Sequence, residues 1–311
     1  MEPESRREFL KRSAAAALAA QVLPAAAATR SAQNPAGGQP APFALGIVTG
    51  IGADPAAAIA RVRDLNLPTC QIEFGDLNPA RMEQVGAALR QNQIVCTAFG
   101  TSGPGPDIYD FYDGPLTLGL VPRTYRAQRI EKILQLSDYA KQLGVPAIRI
   151  HVGFIPEDPN LLLYREVVEA LRQVVGYCRR NGQDFLYETG TETPVTLLRT
   201  IEDVGFENQG VNLDTGNFIL YGTANPVDAL DVIGKYVKNT HAKDGLYPTD
   251  PRQLGQEVAI PHGKVDFPRF IARLKELHYQ GPITIEREIS GPRQLADVKA
   301  ERDYLLRLIA A

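Results

Sequence analysis

The chain has 311 residues, of which 44% are hydrophobic, and carries a formal charge of −3 at neutral pH. That length allows one large domain or two ordinary ones, and the apolar share is sufficient for a packed core. The slight acidity excludes reliance on a broad basic surface for holding nucleic acid.

In chain order, the N-terminus reads Ser5-Arg6-Arg7-Glu8-Phe9-Leu10-Lys11, followed by an alanine-rich, modestly apolar stretch to Ala28. The arginine pair with Phe9, Leu10 and Lys11 at these offsets resembles a twin-arginine export signal. It implies cleavage after about Ala28 and a periplasmic or otherwise exported mature protein. Residues 1–28 are therefore read as a signal peptide, 29–42 as a flexible tether rich in Ala, Gly, Pro and Gln, and 43–311 as one folded domain. No later apolar run reaches the ~18 uncharged residues that argue for a membrane span, so no membrane association is expected after export.

From residue 44 onward, strand and helix signals alternate. Residues 44–49 predict a strand, and Asp54-Pro55 marks a capped helix running to about 65. A second strand over 69–74, a helix over 79–91 and a third strand over 94–99 follow. Residues 100–122 break the pattern with glycines and prolines, then Tyr109, Phe111 and Tyr112, and read as a substrate-facing loop. Helical spacing resumes over 123–143 and stops at Gly144. Further strands are predicted over 145–151, 184–188, 210–214, 237–242 and 283–286, and helices over 159–181, from Thr193-Pro194 onward, and over 226–236, 267–278 and 292–309. Between Lys243 and Lys264, prolines 248, 251 and 261 with Gly255 and Gly263 predict a long loop. Eight strand-helix units place the chain in the α/β class, as a single-domain (β/α)8 TIM barrel. A doubly wound open sheet is the alternative, but it would not gather four consecutive strand ends around one point.

Glu188, Asp214, His241 and Glu286 each close one of four successive predicted strands. A parallel barrel points every strand end at one rim, so these four side chains are expected to converge on one metal site. Singly, an acidic residue at a strand end is more simply a helix cap or an exposed ion pair; the joint placement carries the metal expectation. Three carboxylates with one imidazole suit a single divalent ion, Mn²⁺ first, with Mg²⁺, Co²⁺ or Zn²⁺ as alternatives. Glu188 and Glu286, on different sides of the rim, are candidate proton-transfer groups. His151 and Glu73 at strand ends, Asn217 and Lys243 after ligand strands, and His262 in the long loop are candidate substrate contacts. Cys70, Cys96 and Cys178 lack metal-ligand spacing. Cys70 and Cys96 fall on neighbouring strands, where buried thiols are the preferred reading and a disulfide the alternative.

The blocks Tyr187-Glu188, Asn212-Leu213-Asp214-Thr215-Gly216-Asn217, Thr240-His241-Ala242-Lys243-Asp244, Gly263-Lys264-Val265-Asp266-Phe267 and Thr284-Ile285-Glu286 resemble those of the xylose-isomerase-like barrel family of sugar isomerases and epimerases. The resemblance extends from about Phe43 to the C-terminus. It implies that Glu188, Asp214, His241 and Glu286 ligate the metal, with Glu188 and Glu286 also moving protons on a non-phosphorylated keto-sugar through a metal-stabilised enediolate. The implied partner is a small-molecule sugar, with no nucleic acid, and a homo-oligomer is left open. Two departures stand out: many keto-sugar epimerases of this family have a His where this chain has Asn217, and a Gly where it has His262. A lyase or hydratase acting on 3-keto sugars or glycosides is the nearest rival. A non-catalytic sugar-binding protein and an abasic-site endonuclease are more distant ones.

Overall fold

The computed structural model describes residues 41–311, and the expected signal peptide and nearly all of the expected tether lie outside the described residues. Strands β1 (Leu45–Gly50), β2 (Thr69–Phe74), β3 (Val95–Thr101), β4 (Ala147–His151), β5 (Asp184–Glu188), β6 (Gln209–Asp214) and β7 (Val237–Ala242) follow one another around a barrel. A two-stranded antiparallel hairpin, β8 (Asp244–Leu246) with β9 (Gln256–Val258), precedes the last barrel strand, β10 (Ile283–Ile285). Among the described residues, the barrel has eight strands, every neighbouring pair is parallel, and β10 closes it against β1. All eight C-terminal ends therefore share one rim.

The connecting helices are α1 (Pro55–Asp64), α2 (Pro79–Asn92), α3 (Gly114–Thr117), α4 (Arg123–Leu143), α5 (Leu162–Arg180), α6 (Pro194–Val204), α7 (Thr215–Tyr221), α8 (Pro226–Ile233), α9 (Phe267–Glu276) and α10 (Pro292–Ala310). Their starts follow from local chemistry. Asp54 accepts from the Ala57 N–H at 3.0 Å, Thr193 from Thr196 at 3.3 Å and Asp266 from Arg269 at 3.1 Å, each with a proline in the first turn. Gly144 and Gly205 end α4 and α6 in the left-handed region, at φ 70° and 74°. Among the described residues, no helix is long and apolar enough to cross a membrane.

The apolar core lies between the strands and the helices, with Phe185, Phe267, Phe270, Leu171 and Val174 all nearly inaccessible. Polar side chains occupy the barrel interior below the rim. Gln71 Nε2 donates to Asn212 Oδ1 at 2.9 Å and reaches Thr284 Oγ1 at 3.4 Å, joining three strands across the lumen. Cys70 and Cys96 are register partners on β2 and β3, and all three cysteines are buried free thiols.

Several elements depart from the sequence expectation, among them the one-turn helix α3 within the loop expected over 100–122. Helix α7 begins directly at the end of β6, in a stretch to which the sequence assigns no element, and all seven of its residues are buried. A helix with no polar face carries no amphipathic period by which to recognise it. The long segment after β7 also contains a hairpin as well as loop, its strands only three residues each. The opposite rim loop, after β3, meets this segment through an antiparallel bridge between Asp110 and Gln253 and a Phe111 N–H to Arg252 carbonyl bond of 3.3 Å. Strands β3 and β7 are four places apart in the eight-stranded ring, so these loops span the barrel mouth.

Leu171 is fully buried on α5 and distant from the rim chemistry. Leu171→Ala is expected to destabilise the fold by about 2–5 kcal/mol, the usual cost of a core cavity. Urea unfolding checks this.

Candidate metal centre

Glu188 ends β5, Asp214 ends β6, His241 is the penultimate residue of β7, and Glu286 follows β10. The barrel brings all four together, as their order along the chain predicts: one donor atom from each lies within 4.8 Å of the others, and all four residues are buried. His241 Nδ1 stands at the focus, 3.2 Å from Glu188 Oε1, 3.4 Å from Asp214 Oδ2 and 3.3 Å from Glu286 Oε2.

Neighbouring bonds aim these atoms. Asp214 Oδ1 caps α7 by accepting the Asn217 N–H at 2.7 Å, which turns Oδ2 toward the focus. His241 Nε2 faces Gln71 Oε1 at 3.0 Å. Because the Gln71 amide donates to Asn212, its oxygen is the atom facing His241, so Nε2 carries the proton and Nδ1 presents a lone pair. Asp214 Oδ2 and His241 Nδ1 are buried and have no hydrogen-bond partner among the described residues. Two orphaned donor atoms beside two more carboxylates fit a divalent cation, and the mixed oxygen and nitrogen set suits Mn²⁺, Mg²⁺, Co²⁺ or Zn²⁺.

The electrostatics are strongly biased. Burial raises the Glu188 carboxyl, but Arg149, His151 and His241 outweigh it and hold the group well below the usual carboxylate range. Glu286 behaves alike, with Lys243 and His241 overcoming burial. Burial dominates at Asp214 and pushes it up to about 7, against the pull of Lys243. Burial lowers Lys243, yet Glu286, Glu288 and Asp214 reverse this and hold the ammonium well above its ordinary value.

The expected substrate contacts separate into two groups. Glu73, His151 and Asn217 line a cavity of 370 Å³ above the four donors, together with Tyr109, Tyr221, Glu188 and Glu286. His151 Nε2 lies 3.3 Å from Glu188 Oε1 and 3.5 Å from Asn217 Nδ2, and its ring meets Tyr109 edge-on at 6.4 Å. Lys243 is not part of the cavity lining: 2% exposed, it places Nζ 3.0 Å from Glu286 Oε2, the oxygen that also faces His241, 3.9 Å from Asp214 Oδ2, 2.5 Å from Glu288 Oε2 and 3.2 Å from Asn217 Oδ1. Its neighbour Asp244 turns to the loop backbone and accepts from Gly245, Gly263 and Val265. His262 is exposed on that loop and is not part of the cavity lining.

Arg149 and Gln71 were not singled out by the sequence. Arg149 is 5% exposed on β4, with its guanidinium between Glu73 of β2 and Glu188 of β5. The strand period of two placed it on the same inward face as His151, and that was the available signal.

Glu192, in the loop after β5, is 3% exposed; burial pushes its carboxyl up to about 7, and Oε1 has no partner. Folded Glu192 keeps its proton to about 7, whereas the unfolded chain releases it near 4.5. Between those values the native state binds more protons, so Glu192 lowers stability as pH rises. Glu192→Gln is expected to stabilise the metal-free protein at pH 8 by on the order of 3 kcal/mol, fading to nothing below about pH 4.5. Denaturant melts across this range check it.

The family model described as Xylose isomerase-like TIM barrel matches residues 59–308. A crystal structure of a xylose isomerase domain protein from Planctomyces limnophilus superposes with a TM-score of 0.78 at 33% identity, covering 86% of this chain and 96% of that one. An uncharacterised protein of Methanocaldococcus jannaschii is 27% identical over 175 residues, 52% of this chain, and the match spans 58% of that relative's length. The fold also matches the apo form of 3-keto-D-glucoside 4-epimerase from E. coli, with a TM-score of 0.65 at 15% identity over 85% and 99% of the two chains. A xylose isomerase-like TIM barrel protein from Mycobacterium smegmatis, in complex with magnesium, gives 0.64 at 17% identity over 86% and 96%.

Proposed function

The chain belongs to the xylose isomerase-like TIM barrel family, and from that premise we propose that it is a divalent-metal-dependent sugar isomerase or epimerase acting on a non-phosphorylated keto-sugar. The observation that carries this reading is the convergence of three buried carboxylates on His241 Nδ1, with that nitrogen and Asp214 Oδ2 both unpartnered. The sugar substrate is supported by the epimerase among the structural matches, and the metal by the magnesium complex.

A divalent ion bound there supplies Lewis-acid stabilisation for negative charge developing on the substrate's oxygens. Glu286 borders the cavity with Oε2 braced by Lys243, and it removes the proton from the carbon next to the carbonyl. Glu188 reaches in from β5, three places around the ring from β10, and relays to the substrate a proton drawn from His151, whose Nε2 lies 3.3 Å from Glu188 Oε1, while the proton taken by Glu286 passes to solvent. Glu73, His151 and Asn217 hold the sugar's hydroxyls, with Tyr109 and Tyr221 covering its apolar face. Among the described residues, the two cavity-lining guanidiniums are already engaged. Arg149 pairs with Glu73 and Glu188, and Arg129 pairs with Asp107 and donates to the carbonyls of Pro104, Pro106 and Gly119. An acidic cavity without an uncommitted guanidinium favours a neutral sugar over a phosphate ester.

Proton exchange tests this reading directly. Manganese-loaded wild type is expected to exchange the substrate's α-hydrogen with deuterated water, and Glu286→Gln to slow it by about 10²–10⁴-fold while retaining metal. No exchange across a panel of ketoses by metal-loaded protein would remove the enzyme reading. Release of an aglycone from a 3-keto glycoside would replace it with a lyase.

The same proposal puts the mature protein outside the cytoplasm, on the strength of Arg6, Arg7, Phe9, Leu10 and Lys11. N-terminal sequencing of protein from the periplasmic fraction is expected to begin near Thr29. Accumulation of the intact chain in the cytoplasm would contradict export.

A further inference from the structure

We infer that Arg149 is a positioning residue that locks Glu188 into presenting a single oxygen to the metal position, and that Glu73 and Gly100 exist at their places to complete this brace. The inference rests on the metal-site reading above and concerns how one ligand is held.

Glu188 uses its two oxygens in opposite directions. Oε1 faces the focus, 3.2 Å from His241 Nδ1 and 3.3 Å from His151 Nε2. Oε2 is taken by Arg149 Nη1. The other arm of the guanidinium, Nη2, holds Glu73 Oε2 at 2.5 Å, and Nε has no partner. Both terminal nitrogens thus engage carboxylates, and a planar fork fixes orientation in a way a point charge does not. With Oε2 held from behind, Glu188 cannot swing to offer both oxygens forward.

The brace runs across three strands in one register row. Glu73 of β2 pairs with Gly100 of β3, which pairs with Arg149 of β4. The ion pair therefore passes directly over residue 100. A Cβ there would overlap both Glu73 Oε2 and Arg149 Nη2. Gly100 is not among the positive-φ glycines, so its backbone makes no demand for glycine; the space above it does. Buried ion pairs contribute little net stability compared with apolar replacements of the same volume. What this one supplies is the direction of a ligand.

The distinguishing measurement is Mn²⁺ affinity by titration calorimetry, on folded protein checked by circular dichroism. Arg149→Lys keeps the charge but cannot span both carboxylates with a fork, and is expected to weaken Mn²⁺ binding by about 10–100-fold, the range for lost outer-shell support of a ligand. Gly100→Ala, which touches none of the four ligands, is expected to weaken it in the same direction by forcing Arg149 and Glu73 apart. If Arg149 served only as a neighbouring charge, Arg149→Lys would bind as wild type does and Arg149→Met would bind more tightly, because a positive charge has left a cation site. Either result overturns the positioning role, as does a loss of thermal stability with unchanged affinity. Failure of wild type to bind Mn²⁺ would strike the metal-site reading itself, so the two failures are separable.

Discussion

Three carboxylates buried at the barrel mouth are the constraint around which this structure is arranged. Glu188, Asp214 and Glu286 are each 9% exposed or less, and their donor atoms crowd one point. Like charges at that spacing, shielded from bulk solvent, repel one another more strongly than they would at a surface. The molecule answers with cations from its own strand ends. Arg149 pairs with Glu188 and Lys243 with Glu286, while the imidazole of His241, a ligand and not one of these cations, lies among all three carboxylates. Arg149 takes the Glu188 oxygen turned away from the focus, whereas Lys243 reaches Glu286 Oε2, an oxygen that also faces His241. The arrangement lowers the repulsion among the three carboxylates.

The supports of those groups reach well into the fold. Asp214 is aimed because it caps α7, and α7 starts where it does because β6 runs straight into it. His241 is aimed because Gln71 on β2 reaches across the lumen to it, with its own amide fixed by Asn212 on β6. Parallel strands make this economical: every end arrives at one rim, and alternate residues along each strand point inward. The polar layer beneath the rim thus belongs to the site as much as to the core.

Much of this was legible in the chain. Capping residues such as Asp54 before Pro55, and the C-terminal glycine Gly144, give local signals that tertiary context did not override. The predicted and observed strands agree closely at β2, β5 and β7. The four converging donors were legible because strand-end spacing is a topological property, readable without coordinates. Directions were harder to read. Lys243 follows a ligand and reads as a substrate contact, yet its ammonium pairs with Glu286 and Glu288 and is not part of the cavity lining. Arg149 reads as one charge in an apolar strand until register sets it beside Glu73 and Glu188. Helix α7 escaped because complete burial erases the alternation of polar and apolar faces.

The seam of the barrel has a consequence for how the site comes into being. Strand β1 meets β10 over only three paired positions, Leu45 with Ile283, Gly46 with Thr284 and Ile47 with Ile285. Glu286 is the next residue along. The fourth donor is thus delivered by the last strand, beside the seam where the two ends of the domain dock. An ion held by all four groups recognises the closed ring and not a chain with its final strand undocked. By mass action, such an ion draws the seam shut. Closure of the seam and completion of the four-donor set are then one event.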